Sequence, residues 1–180
     1  DLACVFALAH QDRIDLKGIL IDYPPARRQA GFNPDVMAVA QMNHLTGLHV
    51  PVAVGSPHAM TSRHDTQAQA MDMEHGGIQT VLDILEKSDR PVVINVIGSC
   101  RDIALAGNQA PELFARKCAG IYLNAGTGSP DKAKAAQLEY NVSLAPQSYA
   151  ALFDLPCPIF WIPCFEEMKS GRHVMEYVPH

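Results

Sequence analysis

The sequence predicts an α/β fold with a mostly parallel sheet and helices on both faces. Two observations carry that expectation. Strand-like and helix-like segments alternate along the chain, and the strand runs, PVVINVI at 91–97 above all, are almost continuously apolar instead of alternating. Strands buried on both faces and joined by helices imply right-handed βαβ units.

The elements follow in order. Alanine and leucine favour a helix over 1–11, with Asp1 at the positive end of its dipole. The run LKGILI at 16–21 predicts a strand ending at Asp22, and Pro24-Pro25 enforces a loop. Asn33-Pro34-Asp35 has the cap-then-proline pattern of a helix start, and Val36, Val39, Ala40, Asn43 and His44 continue at helical spacing to Gly47. VPVAV at 50–54 is the next strand. Residues 56–74, polar and rich in Gln, Met and His, predict a long loop or short irregular helices over the scaffold. A helix follows from Gly76-Gly77 to Lys87, then the 91–97 strand, a helix over 102–106 and another after Pro111-Glu112. GIYL at 120–123 predicts a strand ending at Asn124, Pro146 opens a helix to Phe153, and PIFWI at 158–162 is the last strand.

A length of 180 residues fits one α/β domain over 1–180, and 48% hydrophobic residues suffice for a sizeable core. Both ends are abrupt, with Asp1 running straight into an apolar stretch and Val178-Pro179-His180 lacking a helix stop, so a piece of a longer domain is expected. The net charge of −5 and a pI of about 5.9 leave no basic footprint, and Arg27-Arg28 has no interleaved aromatics for base stacking; nucleic acid is excluded as a partner. No apolar run reaches the roughly 18 residues of a membrane span, and the first residues lack a signal-peptide layout. Five cysteines without C-x-x-C spacing predict free thiols in a cytoplasmic, reducing compartment, an exported protein lacking its signal peptide here being the alternative.

In parallel α/β sheets ligands bind beyond the carboxyl ends of the strands, and in this chain those positions are polar. They are Asp22, Ser99-Cys100-Arg101-Asp102, Asn124-Ala125-Gly126-Thr127, and Glu139-Tyr140-Asn141 ahead of the Pro146 helix. Each taken singly reads as a cap or turn; their agreement in location points to a site, with Asn124 in its pocket. Gly126-Thr127-Gly128 does not extend to G-x-G-x-x-G because position 131 is Asp, which argues against a dinucleotide site. His58, His64 and His75 lack the close pairing of a zinc site.

Residues 1–3 (Asp-Leu-Ala), 98–105 (GSCRDIAL), Pro111-Glu112-Leu113, 121–126 (IYLNAG) and 138–153 (LEYNVSLAPQSYAALF) resemble, in order and spacing, the nucleoside hydrolases of the inosine-uridine preferring type, with a Rossmann-like sheet. His75-Gly76-Gly77 falls where that family often carries a His-Gly pair. The resemblance implies hydrolysis of an N-glycosidic bond in a nucleoside or other ribosyl compound, with calcium as cofactor. Calcium is a hard cation suited to carboxylate clusters; a metal-bound water would attack the anomeric carbon. By the same resemblance Asp1 is the last aspartate of the calcium-binding D-x-D-x-x-x-D-D stretch, the others lying upstream. Arg101 stands where a threonine lends calcium its backbone carbonyl, and Glu139 and Asn141 match the ribose-hydroxyl ligands, with His75 on the substrate side. A homo-oligomer is implied too.

Departures from the pattern matter as much. Cys100-Arg101-Asp102 replaces Leu-Thr-Asn, Asn124-Ala125-Gly126 replaces Met-Gly-Gly, and Ala133 and Ala145 replace an asparagine and an aspartate. Around Asp22-Tyr23-Pro24 the family's Gly-Asn is lost, so substrate contacts are partly rebuilt. A catalytically degenerate sugar- or nucleoside-binding module of the same fold is the alternative to the enzyme.

Overall fold

The computed structural model describes residues 1–23, 36–68, 76–128, 131, 133, 138–169 and 172–176, with side chains through Cys164. The architecture is mixed α/β, parallel strands in two sheets flanked by helices.

The first sheet pairs β1 (Ile19–Ile21) with β2 (Val52–Val54) in parallel, Ile19 opposite Val52. Both strands are shorter than the apolar runs at 16–21 and 50–54 predict. Pro51 has no N–H to extend the ladder; its carbonyl instead accepts from the Ile19 amide at 2.9 Å. Helices α1 (Leu2–His10) and α2 (Met37–Thr46) pack beside these strands, burying Phe6, Val39 and Val50 in a small core. The predicted helix start at 33–35 lies outside the described residues. Residues 56–68 form turns and bends, as a loop should.

The second sheet has the order β3 (Val92–Val96), β4 (Cys118–Thr127), β5 (Ile159–Lys169), β6 (Arg172–Glu176), parallel except for the antiparallel β5–β6 hairpin. Its connections are helical: α3 (Gly76–Lys87) precedes β3, α4 (Arg101–Gln109) and α5 (Pro111–Lys117) link β3 to β4, and α6 (Tyr140–Leu144) and α7 (Pro146–Leu152) lie between β4 and β5. The main core, including Ile78, Leu85, Leu105, Phe114, Ile121, Leu123 and Leu152, lies between this sheet and its helices. On the opposite face Tyr122 and Phe160, both half-exposed, stack at 4.6 Å.

Three elements exceed their predictions. α4 begins at Arg101 and runs to Gln109, β4 gains length because both its edges are paired, and β5 passes through Pro163. A proline reads as a strand stop because it cannot donate to the ladder. Here the β4–β5 register slips between Asn124 and Thr127 instead, absorbing Pro163, with Gly126 at φ +82°. α6 and β6 have no counterpart in the sequence reading.

No helix among the described residues is long and apolar enough to cross a membrane.

Candidate functional site

The carboxyl ends of β1, β3 and β4 bring the polar strand-end residues together. Asp22, directly after β1, accepts from the Ser99 amide at 2.9 Å and the Ser99 hydroxyl at 2.7 Å. It also pairs with Arg101, whose Nη2 lies 3.2 Å from Asp22 Oδ1 and donates to the Tyr23 carbonyl at 2.7 Å. Arg101 is wholly buried, and its Nε and Nη1 have no hydrogen-bond partner among the described residues. A guanidinium carries five N–H groups, so three of them lack an acceptor.

Asp102, the next residue of α4, is buried too. Its Oδ1 accepts from the Ser56 amide at 2.6 Å, tying the end of β2 to α4, and its Oδ2 lies 3.8 Å from Arg101 Nη2. Burial pushes its carboxyl up to about 6, and the charge of Asp22 adds to the rise against the lowering by Arg101 and the Ser56 amide.

Glu139 caps α6. Its Oε1 accepts from the Asn141 amide at 2.9 Å, and its Oε2 from the amides of Gly126 at 2.9 Å and Val142 at 3.3 Å. Three of roughly four lone-pair positions are thus taken, and one on Oε1 remains open. Asn141 donates through Nδ2 to the Asn124 carbonyl at 3.0 Å. The side-chain oxygen of Asn124 accepts from Cys164 at 3.7 Å, and Trp161 donates to the Ala125 carbonyl at 2.7 Å. Glu139, Asn141 and Asn124 therefore form one connected group.

Cys100 links the two groups. Burial, and then the charges of Asp22 and Glu139, push its thiol up to about 12, so both carboxylates act on one buried sulfur. A thiol held protonated is no nucleophile. Tyr149, raised chiefly by burial, closes the far side with its hydroxyl against Gly126.

The remaining sequence candidates are placed differently. Asp1 is exposed at the head of α1, and its side chain makes no capping hydrogen bond. His75 lies outside the described residues. Arg101 enters by its side chain, whereas the sequence pointed to its backbone carbonyl. The sequence marked Asp22 and Ser99 as polar strand ends without showing that they join each other. A separate cavity of about 530 Å³ lies at the opposite ends of β1 and β2, lined by residues such as Asp12, Leu16, His49 and Arg90.

The described residues can be tested for a fit to calcium. Among them no group of three or more His, Cys, Asp or Glu side chains could hold a metal ion. The pair closest to such a group, Asp22 and Asp102, already flanks a guanidinium. Two carboxylates already engaged with a guanidinium fall far short of the six to eight oxygen ligands that calcium takes. These residues do not fit calcium.

The parallel sheets, their flanking helices and a polar cluster beyond the strand ends define a Rossmann-type α/β fold of the nucleoside hydrolase kind. A solved structure with this architecture is the inosine-uridine preferring nucleoside hydrolase from Bacillus anthracis, similar over 90% of this chain and 60% of its own length, with a TM-score of 0.62 and 16% identity. No family model and no curated protein matches the chain.

Proposed function

We propose that this chain forms the sugar-binding part of a protein that hydrolyses the N-glycosidic bond of a nucleoside or a related ribosyl compound. The observation that carries the reading is the grouping of Glu139, Asn141 and Asn124 at the end of β4, where Asn141 Nδ2 lies 3.4 Å from the Ile97 carbonyl at the end of β3, the strand end that also holds Asp22 through Ser99. A carboxylate with an open lone pair accepts from a sugar hydroxyl, and a side-chain amide both donates and accepts. The fold likeness to a nucleoside hydrolase supports the same ligand class.

Calcium is implied by the resemblance alone, and the described residues do not fit it. No step is assigned to the metal here. The decisive experiment is release of free reducing sugar from a panel of nucleosides by the intact protein, with calcium and with a chelator. Sugar release supports hydrolysis; a folded protein that releases none from any nucleoside overturns it.

One observation favours a second reading, a ribosyl-binding module without turnover. Asp22 and Asp102 flank the Arg101 guanidinium and Glu139 holds three backbone amides, so each of these carboxylates already serves a structural contact. Binding of ribose or a nucleoside without release of the base would establish it.

A further inference from the structure

The hydrogen-bonding account around Arg101 is unbalanced in one direction. Asp22 accepts from three donors, Oδ2 from the Ser99 amide and Oδ1 from the Ser99 hydroxyl and Arg101. Asp102 holds the Ser56 amide, and Glu139 holds three amides. The carboxylates are supplied with donors. Nε and Nη1 of Arg101, wholly buried, have no acceptor among the described residues. Carboxylates gathered for a metal present the opposite imbalance, lone pairs that need a cation. What Arg101 lacks, among the described residues, is an acceptor oxygen.

We infer that the guanidinium of Arg101 is the built-in positive charge of this site, so that the site excludes a divalent cation and takes an uncharged, hydroxyl-bearing ligand whose oxygens accept from Nε and Nη1. An anionic ligand group fits poorly, because the guanidinium is already flanked by the carboxylates of Asp22 at 3.2 Å and Asp102 at 3.8 Å. A hydroxyl suits both sides, accepting from the guanidinium while donating to the open lone pair of a carboxylate. Because Arg101 is shielded from solvent, binding must uncover it, which slows association relative to an open pocket. The ligand class rests on the sugar-binding reading above; the exclusion of a cation stands without it.

The test is thermal denaturation of the intact protein with calcium chloride alone, against a chelator control. Wild type is expected to show no change in Tm up to millimolar calcium. Arg101→Met, which keeps the stem and removes the charge, is expected to melt lower and to recover part of that loss with calcium, since Asp22 and Asp102 then lack their cation. A saturable rise in the wild-type Tm, or a folded Arg101→Met that ignores calcium, overturns the assignment. Should Arg101→Met not fold, calorimetric titration of wild type with ribose decides: equal affinity in calcium and in chelator supports the inference, and a tenfold gain in calcium overturns it. If ribose binds in neither condition while wild type stays inert to calcium, the sugar-binding reading fails and the charge assignment stands.

Discussion

The carboxylate of Glu139 holds the amide of Gly126 at 2.9 Å, joining the start of α6 to the irregular segment of β4. Gly126 sits at φ +82° where the ladder slips around Pro163, a conformation that glycine adopts without strain. One side chain therefore caps a helix and fixes the geometry of the strand end that carries Asn124.

Glu139→Ala removes the cap and leaves the Gly126 amide without its acceptor. A loss of roughly 1 to 3 kcal/mol in stability is expected in urea denaturation. Ribose affinity should fall about ten- to hundred-fold, as expected for a charged hydrogen bond worth about 1.5 to 3 kcal/mol. Unchanged affinity in a folded variant removes Glu139 from the ligand contacts.

Asp102 gives the protein a pH signature. Its carboxyl is raised from the usual 3.8 to about 6, chiefly by burial, so in this window the folded state keeps a proton that the unfolded chain has released. Stability contributed by this group is full below pH 4 and is lost as pH rises to about 6. Asp102→Asn retains an acceptor for the Ser56 amide and should flatten this part of the profile. Urea midpoints measured at half-unit steps from pH 4 to 7 check it, and an identical slope in both proteins contradicts the assignment.

The five thiols are free and differ in exposure, Cys4 open to solvent and Cys100 buried with its thiol pushed up to about 12. Ellman's reagent at pH 8 should therefore label Cys4 first and leave Cys100 unlabelled until the protein unfolds. Peptide mapping after a short exposure identifies the order.

Gly77 is a packing requirement. A Cβ there would lie 2.8 Å from the Val54 carbonyl oxygen and 3.0 Å from Gly55 Cα, where α3 crosses the end of β2. Backbone cannot yield as a flexible side chain would, so Gly77→Ala should destabilise by about 1 to 3 kcal/mol despite its better helix propensity. A stability equal to wild type in urea denaturation would show that α3 shifts freely.

The layout of the sheet was legible in sequence because its strands advertise themselves. Val92 to Val96 is apolar but for Asn95, and the polar residues after each strand did gather at one edge. Other features carry no such signal. α6 is only five residues long and is started by the side chain of Glu139, so no periodicity precedes it. Charged Glu166, Glu167, Lys169 and Arg172 hide the β5–β6 hairpin from any hydrophobic pattern. The Asp22–Arg101 pair spans 79 residues, and nothing local says that a strand-end aspartate will meet a helix-start arginine. The backbone position of Arg101 could be inferred by resemblance; the direction of its side chain could not.

Among the described residues the β1–β2 ladder and the β3–β6 ladder are separate, yet Asp22 reaches from one to Ser99 and Arg101 beyond the other, and Asp102 reaches back to Ser56. These few polar contacts form a clasp between two ladders that share no strand pairing. The residues best placed to greet a ligand are also those that fasten the molecule shut, so any ligand that draws on Asp22 or Arg101 trades recognition against cohesion.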